Sequence, residues 1–379
     1  MKSSAESSVA NAASLARARA LQAQDNGTPT FLWGAGGMLA GEFLRLCELH
    51  PALNLRAAVV RSKTPLSESQ PHLADARATV SSEEAESALA DSLAGGARAA
   101  VVLALPHGES SGLWKRLRAK LGSDAERAIV VDLAADYRIS DPRLYASAYG
   151  AAHADMGEAE NFVYGLPEYQ REALQGATRC AAPGCFATAI QLATLPAAYA
   201  GLLDSERPWI LNGITGSSGS GNAPKPGTHH PHRHGNLWAY SLDGHRHEAE
   251  LTQALAWRGQ VASLHMVAHS GPFARGIHLT AALPLNRSID ALEVRAIYAE
   301  AYGTEPFVEV LETGAPDIRR VAGSNRASLA VSVRGEVLTV ALTLDNMVKG
   351  GAGQALQCLN LMLDYPETWG LARAGLGVC

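Results

Sequence analysis

The segment Ala182-Pro183-Gly184-Cys185-Phe186 sets a cysteine behind a Pro-Gly turn, just ahead of an apolar helix-forming stretch, Ala187 to Ala200. A thiol there faces the positive end of the helix, which lowers its pKa and favours the nucleophilic thiolate. Most cysteines are packing residues, but a core position needs no such turn. Farther along, Gly244-His245-Arg246-His247 is followed by Glu248 and Glu250. A histidine titrates near neutrality, so it can give a proton to a departing group and later take one back. The adjacent Arg246 can hold a carboxylate or phosphate through paired hydrogen bonds. These groups suit covalent acyl chemistry. The histidines His229, His230, His232, His234, His245 and His247, with Cys180 and Cys185, raise a metal site as the rival. Their spacing lacks the tight ligand pairing of zinc sites, and no metal is expected.

A second constellation lies near the start. The short strand Phe31 to Trp33 runs into Gly34-Ala35-Gly36-Gly37, then Met38 and a helical segment from Leu39 to His50. Glycines between a strand and a helix let the backbone approach a pyrophosphate, and the helix start offers N–H donors. Read as G-x-G-x-x-G the match fails at Leu39. Read as G-x-x-G-x-x-G, Gly34 and Gly37 fit and Ala40 takes the last place. An ordinary tight turn would read much the same, but the next strand, Leu55 to Val60, sharpens the case. It ends in Arg61-Ser62-Lys63 with no acid until Glu68. An NAD site places Asp or Glu there for the ribose 2′-hydroxyl, whereas cations and a hydroxyl suit a 2′-phosphate. NADP is the expected cofactor.

The elements that must carry these residues alternate strand and helix from Thr28 onward, with further strands at Ala99 to Leu105 and Ala128 to Leu133. That rhythm predicts a doubly wound, Rossmann-type parallel sheet. After about residue 185 the texture changes to strands with Gly, Ser and His turns, among them Ile277 to Leu283, Leu329 to Val333 and Val337 to Leu342. These predict a mixed sheet covered by helices on one face. The last helix, Gly353 to Leu363, is expected to return to the first domain. The division is therefore 28–184 with 346–379 for the NADP-binding domain and 185–345 for the catalytic and dimerisation domain. Residues 1–27, rich in Ala and Ser with Arg17 and Arg19, read as a flexible or loosely helical extension. An organelle transit peptide is the lesser alternative.

Composition excludes other classes. With 47% apolar and 18% charged residues and a net charge of -5, the chain can bury a core and lacks the basic footprint of a nucleic-acid binder. No apolar run reaches the roughly 20 residues of a membrane span. The scattered cysteines suit a reducing compartment, and the expected location is the cytoplasm.

Several segments together resemble one family, the N-acetyl-gamma-glutamyl-phosphate reductases, which are similar to aspartate-semialdehyde dehydrogenases. They are Leu105-Pro106-His-Gly-Glu-Ser110, Val131 to Arg138, Val163 to Glu168, Pro183-Gly-Cys185, Gly244 to His247 and Asn346 to Gln354. Their shared order extends the resemblance from Phe31 to Leu371. It implies Cys185 as nucleophile and His245 as acid/base, supported by His247 and Glu250. Arg138, Ser217, Ser218, Tyr240 and Arg246 would complete the substrate side. Pro106, Asn346 and Gly350 would join Gly34, Gly36, Gly37, Met38, Arg61, Ser62 and Lys63 around NADP. The implied reaction is NADPH-dependent reduction of N-acetyl-glutamyl phosphate to the semialdehyde in arginine biosynthesis, by a homodimer or homotetramer. A catalytically silent NADP-binding regulator is the non-enzymatic alternative, and the joint presence of Cys185, His245 and the Gly-Ser loop argues against it.

The chain departs from the family at Met38-Leu39-Ala40, where Tyr-Thr-Gly is usual, at Ala182 for Asn, and at Asn222 for Arg. The basic stretch Lys225 to Gly235 resembles related reductases that act on a glutamyl or aminoadipyl phosphate held by a small acidic amino-group carrier protein. That is the alternative substrate.

Overall fold

The apolar runs of the first half form one parallel sheet: β1 (Thr28–Trp33), β2 (Leu53–Val59), β3 (Ala99–Leu103), β4 (Ala128–Asp132), β5 (Val163–Tyr164) and β6 (Arg179–Ala181). The computed structural model describes residues 27–61, 65–73 and 79–377. The expectations for residues 1–26, Ser62 and Lys63 lie outside them. The sheet order is β2-β1-β3-β4-β6-β5, with every neighbouring pair parallel. Strands β3 and β4 are buried along their whole length, which explains why they read as continuous apolar runs. Helices Met38–Glu48 and Gly353–Met362 cover one face through Phe43, Leu44, Leu356 and Leu359. Helices Ser82–Ala94 and Ser110–Leu121 cover the other through Leu89, Leu93, Trp114 and Leu117. This is the doubly wound arrangement. Its strand order reverses between β1 and β3, opening a crevice above their carboxyl ends.

The second sheet contains β7 (Trp209–Thr215), β8 (Trp238–Tyr240), β9 (Leu264–Ser270), β10 (Ile277–Pro284), β11 (Val308–Val310), β12 (Ala327–Arg334) and β13 (Val337–Leu344). The order is β11-β12-β13-β10-β7-β9-β8; β7–β9 and β11–β12 pair in parallel, the others antiparallel. Gly335 has φ +60 in the tight turn between β12 and β13, where a left-handed residue suits a two-residue hairpin. Burial alternates along β7, β9 and β10. Leu211, Met266 and Leu279 face helices Cys185–Tyr199 and Ala291–Tyr302 in one core, while Asn212, Val267, His269, His278 and Thr280 lie on the less covered face.

The helix after the Pro-Gly turn begins at Cys185 itself, with Gly184 as its N-cap, so the cysteine is the first helical residue rather than a residue ahead of the helix. Farther in, Pro196 removes an N–H and leaves the Leu192 carbonyl without its helical donor. The hydroxyl of Tyr302 donates to that carbonyl at 2.8 Å. Among the described residues no helix is long and apolar enough to cross a membrane.

Candidate active site

The glycine turn forms one wall. At Gly34 the backbone has φ +87, and a Cβ there would lie 2.3 Å from the Ala104 carbonyl oxygen, so only glycine lets β1 and β3 approach this closely. Gly37 caps the Met38–Glu48 helix without a side-chain hydrogen bond, and the first turn carries no acid. Its leading N–H groups are open to an anion, as a dinucleotide pyrophosphate requires. The opposite wall is the loop after β3. Buried Asp136 shapes it by accepting from the Gly108 N–H at 2.7 Å and the Ser111 N–H at 2.9 Å, with His107 Nδ1 2.9 Å away.

Between these walls and the second sheet lies a cleft of about 1550 Å³. Of the expected residues, it is lined by Gly34, Gly36, Gly37, Met38, Arg61, Pro106, Asn346 and Gly350, and by Arg138, Cys185, Ser218, Arg246 and His247. Ser217, Tyr240, His245 and Glu250 are not among its lining residues. His107, Glu109 and Asn222 line the cleft as well, although their types alone did not single them out. Glu109 has a readable signal: an acid at the start of a helix directly after a buried strand.

Cys185 sits where the two halves meet. Gly350 belongs to a π-turn, Val348–Ala352, and a Cβ on it would fall 2.8 Å from Cys185 Cβ. That turn is pinned by Lys349, whose Nζ donates to Glu168 Oε1 at 2.6 Å and Gln357 Oε1 at 2.9 Å. On the other side a Cβ at Gly184 would meet His247 Nε2 at 2.3 Å. His245 and His247 meet edge to face with ring centroids 4.6 Å apart, and the His245 ring centroid lies 5.5 Å from that of Phe186. The His247 N–H donates to His245 Nδ1 at 3.2 Å, which assigns the His245 ring proton to Nε2.

Glu250 organises this corner from beneath. It is fully buried and accepts from the Gly184 N–H at 3.0 Å, the Tyr164 hydroxyl at 2.7 Å and Arg138 Nη1 at 3.5 Å. Arg138 also donates to the carbonyls of Ala182 and Leu133, tying the strand end before Cys185 to the loop after β4. From the second sheet, the Ser217–Ser220 turn presents Ser218. Its hydroxyl donates to the Ala274 carbonyl at 2.7 Å and accepts from Asn346 Nδ2 at 2.9 Å. Asn222 Nδ2 donates to the Gly36 carbonyl at 3.4 Å, joining the 217–222 loop to the glycine turn.

The electrostatics reverse one expectation. Burial pushes the Cys185 thiol above its ordinary value, and Arg138, the Phe186 N–H and Arg246 oppose this only in part. The helix start therefore does not give a preformed thiolate. Burial, with the Arg246 charge beside it, pushes His245 down to about 4. Burial and the neighbouring His245, Arg138 and Arg246 push His247 well down. Both rings are neutral at neutral pH. Alkylation of Cys185 by iodoacetamide should accordingly keep accelerating past the ordinary thiol pKa of about 8.5. Arg246→Gln should move that rise to still higher pH. A rate already level by about pH 7.5 would show the thiolate to be formed without deprotonation of this kind.

The Lys225–Gly235 stretch differs from its reading as a basic rim. Arg233 is buried; Nη1 donates to Ser270 Oγ at 2.8 Å, Nη2 donates to the Gly271 carbonyl, and the guanidinium lies over Trp238. A positive charge counted from composition is thus spent inside. Among the described residues no cluster of three or more His, Cys, Asp or Glu is placed to hold a metal ion.

Known proteins share this architecture. Residues 31–177 match the semialdehyde dehydrogenase NAD-binding domain and residues 185–346 the semialdehyde dehydrogenase dimerisation domain. An N-acetyl-gamma-glutamyl-phosphate reductase from Saccharopolyspora erythraea is 37% identical over 352 residues, covering 90% of this chain and 97% of its own. A LysW-L-2-aminoadipate 6-phosphate reductase from Deinococcus radiodurans is 36% identical, covering 90% and 96%. Aspartate semialdehyde dehydrogenase II from Vibrio cholerae has the same fold, with a TM-score of 0.64 at 14% identity over 89% of this chain and 98% of its own. The chain belongs to the semialdehyde dehydrogenase family of nicotinamide-dinucleotide oxidoreductases, alongside the N-acetyl-gamma-glutamyl-phosphate reductases.

Proposed function

We propose that this protein reduces N-acetyl-glutamyl phosphate to its semialdehyde with NADPH, releasing phosphate, through a thioester on Cys185. The observation that carries this reading is the position of Cys185. It heads its helix at the junction of the glycine-turn wall, the Ser218 turn and Arg246. His247 Nε2, lying against Gly184, relays the thiol proton to the departing phosphate oxygen, and no imidazolium accumulates beside Arg138 and Arg246. The thiolate attacks the acyl carbon, a C–S bond forms, and the C–O bond to phosphate breaks. Arg246 holds the departing anion beside the Ser218 turn. When bound, the reduced dinucleotide supplies hydride to the thioester carbonyl. The Nε2–H of His245 stabilises the resulting oxyanion, which collapses and expels the Cys185 thiolate, and the thiolate takes a proton from water.

The uncapped helix start at Gly37 receives the pyrophosphate, and Arg61 takes the 2′-phosphate. The less covered face of β7, β9 and β10 is the surface proposed for contact with a second copy.

The names of the relatives support both a small substrate and a carrier-bound one. The inward-turned Arg233 favours the small one, because it removes a permanent cation from the rim that an acidic carrier would use. Lys225 remains, donating to the Ser220 carbonyl at 3.3 Å. The test runs the phosphate-dependent oxidation with N-acetyl-glutamate semialdehyde and with a carrier-linked semialdehyde, across a salt series. Turnover of the small aldehyde without salt dependence is expected. A preference for the carrier form that fades as salt rises would reverse the assignment.

A further inference from the structure

Because β1 lies between β2 and β3, the end of β2 and the loop after β3 face each other across the glycine turn. Arg61 comes from the first and Glu109 from the second. Their side chains meet as an ion pair, Arg61 Nη2 to Glu109 Oε1, and both residues line the cleft. Strands β2 and β3 stand two strand spacings, about 10 Å, apart, and the pair joins the segments that follow them. With side chains 69% and 45% exposed, the two residues are held chiefly by one another. Exposed pairs of this kind are weak and open easily. Glu109 also stands at the start of the Ser110–Leu121 helix, where a negative charge is favoured.

From this geometry we infer that Glu109 is a cofactor-specificity residue, acting against the preference that Arg61 confers. The inference rests on the proposed placement of the adenosine ribose beyond β2. A 2′-phosphate must draw Arg61 away from Glu109 and then lies near the carboxylate, which repels it. A 2′-hydroxyl instead donates to Glu109, the role that an acid at the end of β2 fills in NAD sites, while Arg61 stays paired. Glu109 thereby supplies from the neighbouring loop the acid that β2 lacks. Discrimination between NADPH and NADH is consequently narrow in this chain.

The test measures binding of 2′,5′-ADP and 5′-ADP to the full chain by calorimetry, and of NADPH and NADH by fluorescence titration, without acyl substrate. Glu109→Gln should tighten 2′,5′-ADP and NADPH by about three- to tenfold at low salt and weaken NADH about two- to threefold. The gain should shrink as salt rises. Equal shifts for both cofactors, or none, with Arg61→Ala still weakening NADPH selectively, would overturn the role of Glu109 and leave the ribose placement standing. Indifference of all four ligands to Arg61→Ala would overturn the ribose placement itself.

Discussion

Cys185→Ser should lower turnover by about 10⁴-fold or more, the scale on which loss of a covalent nucleophile falls. A serine hydroxyl is a far weaker acid than a thiol, and the burial that already pushes the Cys185 thiol upward would act on an alkoxide too. The assay is phosphate-dependent reduction of NADP with the semialdehyde. A second readout avoids relying on rates alone. Mixed with acyl phosphate in the absence of reduced cofactor, the native protein should gain the mass of one acyl group and the variant none. Retention of more than about one-twentieth of the native rate by the variant would rule out the covalent route.

Glu250→Ala should destabilise the fold by about 3–5 kcal/mol, since it strips the fully buried carboxylate from Arg138 and leaves an uncompensated charge inside. It also removes the acceptor for the Gly184 N–H and the Tyr164 hydroxyl. The side chain immediately before Cys185 is absent by necessity, since a Cβ would meet His247, so Gly184 has only its backbone to be held by. Activity should therefore fall in the fraction that remains folded. Glu250→Gln keeps an acceptor for Gly184 but sets an amide against Arg138, and should lie between the two. Calorimetric unfolding decides: a fall in Tm below about 2 °C for the alanine variant would mean that the carbonyls of Ala182 and Leu133 suffice for Arg138.

What the sequence reveals of this site is what is local. Pro183-Gly184-Cys185 announces a turn and a helix start, and Gly34 to Gly37 announces a close backbone approach, because each depends on neighbours along the chain. Glu250 could be named but not understood. Its partners are 66, 86 and 112 positions away, and only the fold shows that it holds the turn before Cys185. Arg233 shows the opposite failure: charge can be counted from composition, whereas burial beneath Trp238 cannot. The reversed direction of the Cys185 shift has the same origin, since a helix terminus is legible locally and desolvation is not. Strands β7 and β9 are blurred in the sequence because apolar Ile210, Ile214 and Val267 take the less covered face while Gly213, Thr215 and Ser270 take buried positions. The π-turn at Val348–Ala352 leaves no trace beyond its glycines.

The bond from Tyr302 to the carbonyl left bare by Pro196 constrains the order in which this protein can evolve. Losing the tyrosine hydroxyl first strands a buried acceptor in the helix that Cys185 heads, which costs about 1–3 kcal/mol. Replacing Pro196 first by a helix-forming residue restores the N–H and releases Tyr302 from that carbonyl, leaving the Tyr169 hydroxyl, 2.9 Å away, as its remaining partner. The two positions are thus epistatic, although 106 residues of chain separate them, and lineages of this enzyme should shed the proline before the hydroxyl.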